Sequence, residues 1–138
     1  MLTMTGSEQD DLFDAIAYLI GEAQTIAICA HTNPDGDARG SQLALKLIIE
    51  SRWPRKEVTC LLADDDPCPR IYGFLPGADQ LVAASSYEGS PDLFISVDLS
   101  IASRLNNGEE VMRRSRRVAV IDHHPCDDPY GDVALIRP

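Results

Sequence analysis

Three short groups of acidic and histidine residues carry the side chains best suited to chemistry. In chain order they are His31, Asp35, Asp37, Asp98, Asp122, His123 and His124. Brought together, the four carboxylates would repel one another and raise one another's pKa values. A divalent cation relieves that repulsion. Mixed carboxylate and imidazole ligands suit Mn²⁺, Fe²⁺, Co²⁺ or Zn²⁺, and the oxygen-rich balance favours Mn²⁺ or Mg²⁺. There are more ligands than one ion needs, which predicts two ions, as in two-metal phosphoryl enzymes.

Each group follows a stretch that predicts a buried β-strand. Apolar and β-branched residues fill 25–30, 92–97 and 117–121, and a reactive group begins directly after each stretch. In open parallel sheets, ligands bind outside the carboxyl ends of the strands. If the three strands are neighbours, the groups converge on one edge of the sheet.

The rest of the chain also alternates between strand and helix patterns. Further strands are predicted at 57–62 and 132–136, with a short one at 80–82. Helices are predicted at 8–22, 38–52, 101–107 and 109–115. Ser7 opens the first of them, and the last two are divided near 106–108. Residues 71–77 are predicted as a loop or one helical turn. Apolar strands alternating with helices indicate a parallel sheet covered on both faces. We therefore expect one α/β domain over residues 1–138, with a doubly wound, mainly parallel sheet of about five strands and helices on both faces.

Simpler explanations exist for each group taken alone. Asn, Pro, Asp and Gly at 33–36 are all turn formers. Asp37 could cap the helix predicted at 38–52, and Asp98 could cap the segment that follows it. One structural histidine would also be unremarkable. The coincidence of all three groups with strand ends nevertheless favours a metal site.

The residues quoted above carry a family resemblance. The stretch HTNPDGDARGS at 31–41, then Val97-Asp98, then Asp122-His123-His124-Pro125 resemble the first three motifs of the DHH phosphoesterase superfamily. The likeness spans residue 25 to about residue 125. The first motif most resembles the branch that degrades very short RNA and dephosphorylates 3′-phosphoadenosine 5′-phosphate (nanoRNase/pAp phosphatase type). Related branches cleave cyclic di-AMP, single-stranded DNA or pyrophosphate.

The resemblance implies a set of metal ligands. His31 and Asp35 would hold one Mn²⁺ and Asp37 the second. Asp98 would bridge both ions, and His123 would complete the shell of the second. Mg²⁺ or Co²⁺ could replace Mn²⁺. Hydrolysis by a hydroxide that the two ions activate is implied as well.

The resemblance also implies roles near the substrate. Asp122 would orient a neighbouring side chain, and His124 would approach the scissile phosphate. Arg104, six residues after Asp98, is a candidate phosphate contact, although a solvated helix arginine explains it equally well. Ser41 would support the first loop.

Three departures from the family pattern qualify the resemblance. Members usually supply a further metal-binding aspartate well downstream and a C-terminal DHHA1 domain that grips the substrate, and no matching segments occur here. Arg39 stands where an apolar residue is commoner. We therefore expect this chain to be the metal-binding half of a longer protein, weak or inactive alone. A homodimer is one option for its assembly.

The composition and charge of the chain limit the kinds of ligand, location and binding site that it can have. The net charge of −10 disfavours long nucleic acid but permits short RNA or a small phosphorylated nucleotide. No apolar run approaches the roughly 20 residues of a membrane span, and the polar N-terminus is not a secretory signal. We expect a cytoplasmic protein with reduced cysteines rather than a disulfide or zinc framework. The glycines of the first loop do not match a P-loop, which also needs a lysine.

Three functional hypotheses follow. The first is an Mn²⁺-dependent phosphoesterase acting on short oligoribonucleotides and 3′-phosphoadenosine 5′-phosphate. The second, in the same class, is a phosphodiesterase for cyclic di-AMP or pApA, which usually carries upstream membrane and sensory segments. The third is a non-catalytic metal- or nucleotide-binding module, motivated by the missing aspartate and domain.

Overall fold

The computed structural model describes residues 6–30, 36–63, 80–99, 102–124 and 130–137. Its strands are β1 (Thr25–Cys29), β2 (Glu57–Leu62), β3 (Val82–Ala83), β4 (Leu93–Val97), β5 (Arg117–Asp122) and β6 (Val133–Ile136). Its α-helices are α1 (Gly6–Glu22), α2 (Gly36–Arg52) and α3 (Gly108–Arg114), and 3₁₀-helices span Ala84–Ser86 and Ala102–Leu105.

The strands form one sheet in the order β3-β2-β1-β4-β5-β6, and every neighbouring pair is parallel. From β1 the chain winds outward through β2 and β3, then returns to the other side of β1 and continues through β4, β5 and β6. This confirms the doubly wound α/β fold. The sheet has six strands rather than about five, because the short strand predicted at 80–82 forms at Val82–Ala83 and pairs with β2.

Both faces of the sheet carry an apolar core, because side chains alternate along each strand. In β1, Ile26 and Ile28 join the core under α1 and α2, whereas Ala27 and Cys29 join the core under α3. Burial on both faces explains why the strands read as near-continuous apolar runs.

A buried glutamine fixes α2 against the sheet. The Gln42 side-chain amide donates to the carbonyl oxygens of Ile28 at 3.0 Å and of Leu61 at 2.9 Å. These two carbonyls lie near the carboxyl ends of β1 and β2. Gln42 lies in the second turn of α2, so the contact holds the amino-terminal half of the helix near that edge of the sheet.

On the opposite face, α3 approaches β1 closely. A Cβ atom on Gly108 would lie 2.7 Å from the Cys29 sulfur, closer than side-chain atoms pack. Only glycine therefore fits at the start of α3 without movement of β1. The Cys29 and Cys60 side chains are both buried.

Several predicted boundaries need correction. α1 begins at Gly6, so Ser7 lies inside the helix instead of opening it, and α2 begins at Gly36, so Asp37 lies in its first turn and is not its cap. The helix predicted at 101–107 is a shorter 3₁₀-helix, but the predicted division near 106–108 is confirmed. The prediction for 71–77 falls outside the described residues.

Candidate metal centre

The candidate site lies where the winding of the sheet reverses. The chain leaves the adjacent strands β1 and β4 in opposite directions, which opens a crevice at their carboxyl ends. Asp98 directly follows β4 and Asp122 ends β5, so the structure brings two of the three predicted groups to this edge. His31 and Asp35 lie outside the described residues, and Asp37 is described only by its place in α2.

Asp98 and His123 meet at this edge. The Asp98 Oδ1 atom lies 2.6 Å from Nε2 of His123. The Asp98 side chain is 6% exposed and that of His123 is 59% exposed, so the carboxylate lies behind the imidazole. Asp98 has a left-handed backbone conformation, with φ of 60°, and its N–H donates to the Ile121 carbonyl at 2.9 Å. The Asp98 side chain therefore contacts one of the predicted histidines.

Asp122 organises the histidine pair. Its Oδ1 atom accepts hydrogen bonds from the backbone N–H groups of His123 at 2.8 Å and of His124 at 3.3 Å. The same oxygen lies 2.7 Å from Nδ1 of His124. An imidazole that donates through Nδ1 presents Nε2 outward. The Asp122 side chain is only 1% exposed, whereas that of His124 is 52% exposed, so the acid orients a ring that faces solvent.

The four side chains have the composition and spacing of a metal site. Asp98, Asp122, His123 and His124 each offer one ligand atom, and these atoms all lie within 4.8 Å of one another. Donors that share an ion at about 2.0–2.2 Å lie roughly 3–4.4 Å apart, so the cluster needs little rearrangement to hold one. Two carboxylates with two imidazoles form a donor set suited to first-row divalent ions. The residues present therefore fit a divalent metal.

An apolar cavity of about 430 Å³ opens beside the cluster, a volume in the range of small-ligand pockets. Asp98, Asp122 and His123 form one end of it, Phe13, Leu45, Ile48 and Leu135 are among the apolar lining residues, and Arg137 also lines it. Arg104 is exposed in the 3₁₀-helix after β4, and its predicted phosphate contact stays a prediction.

Two features of the structure were not predicted from the sequence. Tyr130 and Ser96 form hydrogen bonds directly beneath Asp98, although neither belongs to a motif. Arg39, noted only as a departure from the family pattern, is buried in α2. A single tyrosine carries no local signal of its hydrogen-bond partner, so sequence alone could not have predicted the first feature.

Comparisons with known proteins agree with this geometry. The family model described as the N-terminal domain of the DHH family matches residues 25–138. The chain is 35% identical over 112 residues to the bifunctional oligoribonuclease and PAP phosphatase NrnA of Bacillus subtilis, covering 81% of this chain and 33% of that protein. It is 34% identical over 124 residues to a probable enzyme of the same name from Streptococcus mutans, covering 90% of this chain and 37% of that protein. The chain thus spans about a third of the length of these relatives.

A solved structure shares the fold. The exopolyphosphatase-related protein from Bacteroides fragilis superimposes with a TM-score of 0.82 at 23% identity, covering 94% of this chain and 39% of that one. Within the part of the chain that the structure describes, none of the helices combines the length and apolar character needed to span a bilayer.

Proposed function

Because this chain belongs to the DHH family, we propose that it is the metal-binding part of a phosphoesterase that hydrolyses short oligoribonucleotides and 3′-phosphoadenosine 5′-phosphate. The observation that carries this proposal is the meeting of Asp98, Asp122, His123 and His124 at the switch-point edge of the sheet. The relatives named as oligoribonucleases and PAP phosphatases supply the substrate class.

Two divalent ions, in our proposal Mn²⁺ with Mg²⁺ or Co²⁺ as substitutes, would supply charge neutralisation and a water of lowered pKa. Asp98 and His123 are the described residues that would hold them. His31, Asp35 and Asp37 are the further ligands that we propose from their motif. The crowded carboxylates give the protein a reason to bind cations at this place.

Of the remaining residues of the cluster, His124 would contact the substrate and Asp122 would orient His124. Asp122 holds Nδ1 of His124, so Nε2 of His124 points outward, where it could donate a proton to the leaving oxygen or steady the phosphate charge. Asp122 itself is buried and engaged with backbone N–H groups, which suits an orienting role better than direct contact with substrate.

The size and charge of the substrate follow from the whole surface. A net charge of −10 offers little attraction for a long polyanion, whereas a short phosphorylated ligand can rely on the metal centre. We propose a cytoplasmic protein on this basis and from the nucleotide substrates of its relatives. The DHHA1 domain and a homodimer stay predictions for the full-length protein.

The test is a Mn²⁺ titration of turnover with 3′-phosphoadenosine 5′-phosphate and a diribonucleotide, using the full-length protein. We expect His123→Ala to lose at least about a hundredfold in kcat/KM, since even outer-shell partners of metal ligands are worth 10–100-fold. Arg113→Ala is the matched control, because this exposed side chain pairs with Glu109 on the surface of α3.

Turnover that persists in the presence of a chelator, or in His123→Ala, would overturn the proposal. Cyclic di-AMP and pApA serve as comparison substrates. Faster hydrolysis of cyclic di-AMP than of 3′-phosphoadenosine 5′-phosphate and the diribonucleotide would move the chain to the cyclic-dinucleotide branch.

A further inference from the structure

A chain of hydrogen bonds lies beneath the candidate metal centre. The Tyr130 hydroxyl donates to Ser96 Oγ. Ser96 Oγ in turn donates to the Leu99 carbonyl at 3.2 Å. Ser96 is fully buried, and the Tyr130 ring packs against the apolar cluster on the α3 face of the sheet. Hydrogen bonds linked in this way strengthen one another in a medium of low dielectric.

Hydrogen bonds flank a residue whose backbone conformation is strained. Asp98 lies between Ser96 and Leu99 and has a φ of 60°. The left-handed conformation costs an L-residue about 1–2 kcal/mol and persists only where the surroundings enforce it. On one side, the Asp98 N–H is fixed to the Ile121 carbonyl of β5. On the other side, the Leu99 carbonyl accepts from Ser96 Oγ, to which Tyr130 donates, and the Tyr130 hydroxyl itself lies 3.5 Å from the same carbonyl oxygen.

Tyr130 is itself anchored to the strand that carries the histidines. The next residue, Gly131, has a φ of 100°, where a Cβ would lie 3.3 Å from the Val118 carbonyl oxygen. Asp132 then pairs with Val118 through two hydrogen bonds of 2.8 Å, one from its backbone N–H and one to its carboxylate. The corner at 130–132 is thus fastened to β5. Burial raises the pKa of Tyr130, so its hydroxyl stays protonated and able to donate.

We propose that Tyr130 is a positioning residue for the metal centre, acting through Ser96 on the backbone of Asp98 so that the Asp98 carboxylate faces His123. The metal-binding consequence rests on the proposed function. The geometric consequence does not, because the contact between Asp98 and His123 is one between two side chains of the protein itself. These hydrogen bonds connect β4 to β5 near Asp98 and His123, the proposed metal ligands that follow the two strands.

The first test removes one oxygen atom. Tyr130→Phe keeps the ring that packs against the core and deletes only the hydroxyl. We expect Mn²⁺ affinity, measured by calorimetry, to fall about 5–20-fold, near the lower part of the range for outer-shell partners. Tyr87→Phe is the matched control, because Tyr87 is also half-buried against the same apolar cluster. This control should bind Mn²⁺ within twofold of wild type.

A second variant interrupts the chain of bonds at its middle. Ser96→Ala should weaken Mn²⁺ binding by a similar factor. The double variant should lose less than the sum of the two single losses, since both changes remove hydrogen bonds that converge on the Leu99 carbonyl. Additive losses would contradict action through Ser96. Thermal unfolding of each variant confirms that a folded protein is compared.

A metal-free measurement separates the two proposals. The imidazole nitrogen shifts of His123, followed by NMR without added metal, should change in Tyr130→Phe and Ser96→Ala but not in Tyr87→Phe. A wild-type protein that binds no Mn²⁺ would overturn the proposed function, and these shifts would still decide the positioning role. Shifts unchanged in both variants would overturn the positioning role.

Discussion

At the scale of single residues, the Asp122 carboxylate holds the histidine pair in place through three contacts. One of its oxygens faces two backbone N–H groups and the ring of His124. The negative charge strengthens all three contacts, because charge-assisted hydrogen bonds are roughly twice as strong as neutral ones. The histidine pair therefore depends on a residue that is almost fully buried.

We expect Asp122→Asn to lower kcat by about 10–100-fold at saturating Mn²⁺, because the amide keeps the shape but loses the charge that orients His124. Asp92→Asn is the matched control, since Asp92 also accepts hydrogen bonds from backbone N–H groups but lies beside the amino end of β4. Steady-state kinetics on both variants is the measurement. Equal losses in the two would show that the Asp122 effect is one of folding alone.

Residue type and spacing were enough to predict Asp98, Asp122, His123 and His124 as one cluster, because parallel strands end on a common edge. The backbone conformation of Asp98 was not predictable in this way. Its support comes from Tyr130, 34 positions away from Ser96, and a contact between such distant residues exists only once the sheet has formed. The predicted ligands His31 and Asp35 fall outside the described residues and stay predictions.

At the scale of secondary-structure elements, the start of α3 is set by the close approach of Gly108 to Cys29. A methyl group at this position would lie 2.7 Å from the sulfur, so Gly108→Ala forces either α3 or β1 to move. We expect the free energy of unfolding to fall by about 1–3 kcal/mol, the usual cost of overpacking. Urea denaturation gives the value.

Two further variants sharpen this test. Gly40→Ala lies within α2 where an added Cβ meets nothing within 4 Å, so it should be neutral or stabilise by up to about 1 kcal/mol. Cys29→Ala, combined with Gly108→Ala, should recover part of the loss by removing the sulfur. Failure of that rescue would place the strain elsewhere.

Element types were predictable from periodicity, whereas element ends were not. The split between 101–107 and 109–115 was expected from the Asn-Asn-Gly sequence and is confirmed. The early starts of α1 at Gly6 and α2 at Gly36 were missed, because glycine and serine read locally as helix boundaries.

At the scale of the whole molecule, one contact ties the two central strands at their amino ends. The Asp92 carboxylate accepts hydrogen bonds from the N–H groups of Gln24 at 2.9 Å and Thr25 at 3.3 Å, and the Asp92 N–H donates to Thr25 Oγ1. These backbone donors, that of Gln24 foremost, hold the pKa of Asp92 below its usual range. The contact joins residues 67 positions apart across the pair β1 and β4.

A lowered pKa makes this contribution depend on pH. The stabilisation is complete above the unfolded pKa, near 3.9, and disappears as the pH falls through the lower folded value. We expect Asp92→Asn to be less stable than wild type at pH 7, by less than about 1 kcal/mol because solvent screens the group. That difference should shrink below about pH 4. Urea denaturation from pH 2.5 to 7 measures it, and a constant difference across this range would contradict the assignment.

The doubly wound class was predictable from the alternation of apolar strands and helices. The strand order β3-β2-β1-β4-β5-β6 was not, because several parallel orders satisfy the same alternation. The order places β4 beside β5, so that Asp98 and Asp122 lie at one edge of the sheet.

The contrast in burial within the cluster has a consequence for how the site can change over evolutionary time. Asp98 and Asp122 belong to the interior as well as to the site, so selection acts on them through both folding and chemistry. His123 and His124 face solvent, and their replacement would leave an intact scaffold with altered reactivity. We therefore expect altered activities to arise more readily from substitutions at His123 and His124 than from substitutions at Asp98 and Asp122.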